Sequence, residues 1–142
     1  MQHLPLLAVL GMAILSAAPA AAINLTVTVT GIRNDHGKIA ALAFSNKQGF
    51  PDDPARALAQ AVVDARKGSV TLTLKNLPAG PLAVAVLHDE NANGKLNRNI
   101  FGLPLEGVGM SRNPVGKSAP TFAHAVMAMD QSCNLDITLK YW

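Results

Sequence analysis

The run His88-Asp89-Glu90-Asn91-Ala92-Asn93-Gly94-Lys95-Leu96-Asn97 gathers most of the residues in this chain that could do chemistry. Asp89, Asn91, Asn93 and Gly94 match the D-x-[DN]-x-[DN]-G opening of a calcium loop. There, alternate side-chain oxygens wrap a hard cation and glycine permits the sharp turn. Lys95 would offer its backbone carbonyl at the seventh position, and Asn97 falls at the ninth. The twelfth position, where an EF-hand places a bidentate Glu, is Ile100. Asp89 is the one carboxylate among amides, so tight binding would need Glu90 or the downstream Glu106 to fold in. Lys95 and Arg98 lower the local negative charge. The other reading is an Asx-rich turn whose side chains satisfy backbone N–H groups without metal. Both readings, a calcium site and a self-satisfied turn, stand at this point.

His88 shares a strand face with Leu82, Val84 and Val86. Beside His124 or Asp89 it could hold a transition metal or act as a base, whereas a lone histidine ending an apolar strand more often hydrogen-bonds a neighbouring loop. The stretch Phe101-Gly102-Leu103-Pro104-Leu105-Glu106-Gly107-Val108-Gly109-Met110-Ser111 has no phosphate-loop pattern, and Ser111 has no nucleophile elbow. Its glycines suit a chain that folds closely over one end of the molecule. Cys133, the one cysteine, alternates with Leu135, Ile137 and Leu139 and reads as a small buried hydrophobe.

These residues are positioned by strands. Leu25-Thr26-Val27-Thr28-Val29-Thr30-Gly31-Ile32 alternates with the period of a half-buried strand. Asn34-Asp35-His36-Gly37 is a turn, and Lys38 to Ser45 returns with both faces apolar, as a central strand would. Asp53 can cap and Pro54 can open a short helix running to about Ala59, before β-branched Val62-Val63 resumes a strand. Val70 to Lys75 alternates, and Leu82 to His88 is wholly apolar up to its histidine. A polar connection runs from Asp89 to about Pro120. Thr121 to Met129 and Leu135 to Tyr141 are the last strands. The expected fold is all-β, an antiparallel sandwich of about seven strands with one short helix.

Met1 to Ala22 has no acid, Lys or Arg, an apolar run from Leu4 to Leu15 and small residues from Ser16 to Ala22. It reads as a cleavable signal peptide, being shorter than the roughly 20 residues of a bilayer span. That leaves one domain, 23–142, in the periplasm or outside the cell, with no further membrane span. The chain of 142 residues carries 12 Lys and Arg against 9 Asp and Glu, and the basic residues are scattered, which argues against nucleic acid.

The string from His88 to Asn97, the string from Phe101 to Ser111, and Pro120-Thr121-Phe122-Ala123-His124-Ala125 together resemble the exported domain-of-unknown-function 2141 family. Gly37-Lys38-Ile39, Leu77-Pro78-Ala79-Gly80 and the ending Ile137 to Tyr141 fit the same pattern. The resemblance covers essentially all of 23–142. It implies a bacterial, exported, all-β sandwich similar to prealbumin-like modules, and it implies no reaction. Asn97 and His124 stand where the family commonly has acids, which removes two carboxylates from any shared cation site.

The expected function is a non-enzymatic exported module that binds a protein or polysaccharide partner through the Asp89–Asn113 loop, with calcium as a candidate ordering ion. One alternative is a transthyretin-like hydrolase, with His88 as base and Arg98 or Arg112 holding an anion. That class is marked by paired His and Arg residues and a Tyr-Arg-Gly-Ser ending, and this chain ends Lys140-Tyr141-Trp142. A second alternative is metal handling through His88 and His124 with Asp89.

Overall fold

A computed structural model describes residues 21–95, 106–116 and 120–142. The expected signal peptide, apart from its last two residues, lies outside the described residues, as do Asn97, Arg98 and Ile100. The described elements are strands β1 (Ile23–Ile32), β2 (Lys38–Phe44), β3 (Ala59–Asp64), β4 (Gly68–Leu77), β5 (Gly80–Asp89) and β6 (Gly107–Met110), the one-turn helix α1 (Phe122–Ala125), and strands β7 (Met127–Met129) and β8 (Cys133–Thr138).

Two sheets form. In one, β1 lies between β4 and β8. In the other the order is β3-β2-β5-β6, and β7 also pairs with β5. The strict alternation of β1 and β4 puts Leu25, Val27 and Val29 opposite Leu74, Leu72 and Val70 on one face and threonines on the other. That apolar face packs on Ile39, Ala41 and Ala43 of β2 and Leu82, Val84 and Val86 of β5. A period of two on each sheet thus yields a dry layer between them. The all-β sandwich follows.

β2 and β5 are apolar on both faces because both faces are covered. On the outer side Leu42, Phe44, Ala85, Leu87 and Val108 form a second cluster beneath Phe50, Ala57, Phe122 and Trp142. Phe50 meets Phe44 edge to face at a centroid distance of 5.4 Å and Phe122 at 6.0 Å.

The structure corrects the sequence reading at four places. The helix near Pro54 is a single 3-10 turn, Pro54–Arg56, with Asp53 capping the Ala55 N–H at 3.0 Å; β3 begins at Ala59. The Asp89–Pro120 connection contains a strand, β6, whose Gly-Val-Gly-Met sequence sets one β-branched residue between two glycines and so carries little strand signal. Thr121 to Met129 is a helical turn followed by a three-residue strand, because Phe122 turns outward onto Phe50 while Ala125 is buried. Pairing is antiparallel except for β1 with β8, which is parallel, from Leu25↔Cys133 to Thr30↔Thr138. Eight strands are present among the described residues.

After β8 the chain changes sheets. The Leu139 N–H donates to the Thr30 carbonyl in the three-stranded sheet, and Lys140 exchanges two 2.9 Å bonds with Val108 in the other. The C-terminal residues therefore tie the two sheets along one side.

Candidate functional site

β5 carries His88 inward at its end, directly opposite Ile39 of β2 and Gly107 of β6. The side chain is fully buried, and both ring nitrogens are used. Nε2 lies 2.7 Å from the carbonyl of His36 and Nδ1 lies 2.8 Å from the Tyr141 hydroxyl. A carbonyl only accepts, so Nε2 carries a proton, and in that tautomer Nδ1 accepts from the Tyr141 O–H. The same hydroxyl accepts the Arg33 N–H at 3.2 Å. His88 thus joins the β1–β2 turn, the end of β5 and the C-terminal segment.

Around this centre lie Glu90 and Glu106, which the sequence named, and Arg33, which it did not single out. The Arg33 guanidinium stands 4.3 Å over the Tyr141 ring and pairs with the Glu90 carboxylate, which also accepts from Asn34 Nδ2 at 2.8 Å. Burial pushes the Glu90 carboxyl up, but the bonds from Arg33 and Asn34 and the guanidinium charge outweigh it, so its pKa is lowered. Burial raises the Tyr141 pKa, partly offset by the Arg33 N–H. Glu106 is buried and accepts the Glu90 backbone N–H at 2.5 Å.

Two glycines make this arrangement possible. A Cβ on Gly37, at φ +70°, would lie 1.9 Å from the Asp89 carbonyl oxygen, and one on Gly107 would lie 2.6 Å from the Tyr141 ring. The expectation that glycines near Glu106 serve close approach holds at Gly107 and at Gly109, where a Cβ would strike Ile137 at 2.6 Å.

The polar loop closes on itself. Asp89 Oδ1 accepts the Asn93 N–H at 3.1 Å and Oδ2 the Gly94 N–H at 2.7 Å. Asn91 Oδ1 also accepts from Asn93, and Asn93 Oδ1 accepts the Lys95 N–H at 2.9 Å. The side-chain oxygens of Asp89, Asn91 and Asn93 are thus engaged by backbone donors, as in successive Asx turns. Glu90 turns to Arg33 and Asn34 instead of to this loop. Among the described residues no three His, Cys, Asp or Glu side chains gather where they could hold a metal ion.

His124 sits on α1 with Nδ1 at 2.8 Å from the Thr121 hydroxyl. Ser111 is buried, donating to the Ala125 carbonyl at 2.5 Å and accepting the Val84 N–H at 3.0 Å. Cys133 is half-buried against the core.

Beside the loop a groove of about 220 Å³ lies on the outer face of the five-stranded sheet. Ala40, Leu42, Val62 and Leu87 line it, together with the loop residues Asp89, Ala92, Gly94 and Lys95, with Gln60 and Lys38, and with Asp52 and Pro54 from the opposite side. An apolar floor with a polar rim is the usual form of a small binding site. No helix among the described residues is long and apolar enough to cross a membrane.

No curated protein and no solved structure matches the chain. A family model does match, over residues 27–137, and its description is an uncharacterized protein conserved in bacteria (DUF2141). That span runs from within β1 to within β8 and takes in the strands between them, the Asp89 loop and the Glu106–Gly109 motif packed against it, and the chain belongs to the DUF2141 family.

Proposed function

We propose that the protein is an exported, non-enzymatic binding module whose recognition surface is the groove between the Asp89–Lys95 turn and the outer face of β2 and β3. The carrying observation is the groove itself: an apolar floor of Ala40, Leu42 and Leu87, edged by groups of both charges. A segment of peptide or oligosaccharide with one apolar face and hydrogen-bonding edges fits that chemistry. The loop that forms one wall holds its shape through its own Asx bonds, as a preformed site requires.

The state of the reactive groups supports a binding role over catalysis. His88 has both nitrogens committed and no exposed surface, and the Ser111 hydroxyl is spent on the Ala125 carbonyl. A general base needs a free nitrogen facing substrate, and a nucleophile needs an approach path.

The test is a titration of the purified protein with a panel of short peptides and oligosaccharides, followed by backbone amide shifts. Binding should move the amides of Ala40, Gln60 and Lys95. It should vanish in Ala40→Arg, which fills the groove, and in the triple change of Asp89, Asn91 and Asn93 to Ala. A ligand that binds Ala40→Arg as well as the native protein places recognition elsewhere and sinks the reading.

A further inference from the structure

Strand β3 has a hydrogen-bonded partner on one side only, β2. The register fixes which of its groups are left over. The Ala65 N–H donates to the Gly37 carbonyl at 3.0 Å, at the end of the β2–β3 ladder. Ladder pairs alternate, so Ala59, Ala61 and Val63 turn their backbone groups to β2, and those of Gln60, Val62 and Asp64 point to the open edge. No group among the described residues takes them up.

Most of the devices that usually blunt such an edge are missing from it, and its one charge, Asp64, is paired with Lys38. There is no proline between Ala59 and Asp64, the register to β2 runs unbroken through all six residues, and the inward side chains are Ala, Ala and Val. Leu58 and Val62, 45% and 48% exposed, are two of the three exposed large hydrophobics among the described residues, and both lie here. The edge of β8, by contrast, is covered by the Asn113 amide, which donates to the Asp136 carbonyl and accepts the Thr138 N–H.

We propose that this edge pairs antiparallel with the same edge of a second copy of the chain, joining two five-stranded sheets into one continuous sheet. Two-fold pairing of the outward-pointing residues allows a frame centred on Val62 or one centred on Ala61. In the Val62 frame, Val62 faces Val62 of the other copy, Gln60 faces Asp64, and Leu58 lies against the aliphatic stem of Arg66. The Ala61 frame would set Leu58 against a carboxylate and Arg56 against Arg66. Charge and apolar matching select the Val62 frame. Lys38 engages one oxygen of Asp64, which leaves the other for the Gln60 amide. One edge strand a side is a small interface, so the dissociation constant falls at roughly 10–100 μM.

Sedimentation of the purified protein from about 1 μM to about 1 mM reads this directly. The expected result is a monomer–dimer equilibrium. Val62→Lys should move it to roughly hundredfold higher concentration, because two ammonium groups then face each other, with the unfolding midpoint unchanged. In a Cys133→Ser background, Val62→Cys should cross-link to its own copy on oxidation. Opposed hydrogen-bonded residues stand about 5.5 Å apart at Cα, within disulfide reach. A protein that stays monomeric through the whole range overturns the proposal. So does a dimer that survives Val62→Lys, which would place the contact on another surface.

Discussion

The Tyr141 hydroxyl donates to Nδ1 of a fully buried His88 across 2.8 Å, and the pair lies 53 residues apart in sequence. The ring cannot turn to find another partner, because Nε2 is held by the His36 carbonyl. Tyr141→Phe therefore keeps the packing on Gly107 but strands a buried nitrogen and the Arg33 N–H. The expected loss is about 1–3 kcal/mol of unfolding free energy, measured by urea denaturation. A loss below about 0.5 kcal/mol would mean that water replaces the hydroxyl.

The Glu90 carboxyl titrates lower in the folded protein than its ordinary value of 4.5. A depressed folded pKa gives stability that is present above the unfolded value and is lost as pH falls through the folded one. The acid limb of the stability profile should therefore lie below about pH 4.5, and Glu90→Gln should flatten it. Tyr141 works in the opposite sense. Its pKa is raised above 10.0, so its contribution is complete below that pH and is lost as pH climbs through the folded value. Chemical denaturation across both limbs, on native protein and both variants, separates the two effects.

Two glycines with nearly the same backbone angle should respond differently to alanine. Gly37 and Gly94 have φ of +70° and +74°. At Gly94 a Cβ meets nothing within 4 Å, so only the left-handed backbone resists it, at about 1 kcal/mol. At Gly37 the Asp89 carbonyl also stands in the way, and the expected cost rises to about 3 kcal/mol or more. Equal midpoints in thermal unfolding would show that the β1–β2 turn can move off β5.

Asp89→Ala removes the acceptor of the Gly94 N–H and one of the two acceptors of the Asn93 N–H. The expected cost is about 1–2 kcal/mol, in calcium and in chelator alike, because a single carboxylate among amides binds calcium weakly. A melting temperature that rises with calcium in the native protein and not in Asp89→Ala would instead make the loop a cation site.

Alternation made β1 and β4 legible, and the double-sided apolar runs of β2 and β5 announced that both faces of their sheet are covered. β6 was not legible, since Gly-Val-Gly-Met carries its strand through pairing with β5 and not through side-chain preference. The Asx character of Asp89 to Lys95, and the inward aim of His88, followed from residue type and strand parity. Its partners did not. Arg33 and Tyr141 reach the site through a turn and a sheet crossing whose geometry no local pattern encodes, whereas Glu106, named from the sequence as a carboxylate that could fold in, accepts the Glu90 N–H. The one trace in the sequence is the small residue at Gly107, which leaves room for a large ring to lie over that strand.

The parallel pairing of β1 with β8 sets an order on assembly. β1 is the centre of its sheet, yet one of its two neighbours is supplied by residues 133–138, near the other end of the chain. Thr30 and Thr138, whose hydroxyls bond at 3.0 Å, are 108 positions apart. A chain delivered N-terminus first holds β1 and β4 as an antiparallel pair with one edge of β1 bare until residues 133–138 have emerged. The sandwich then closes only when residues 133–138 arrive, and a chain cut before residue 133 lacks the strand that covers this edge.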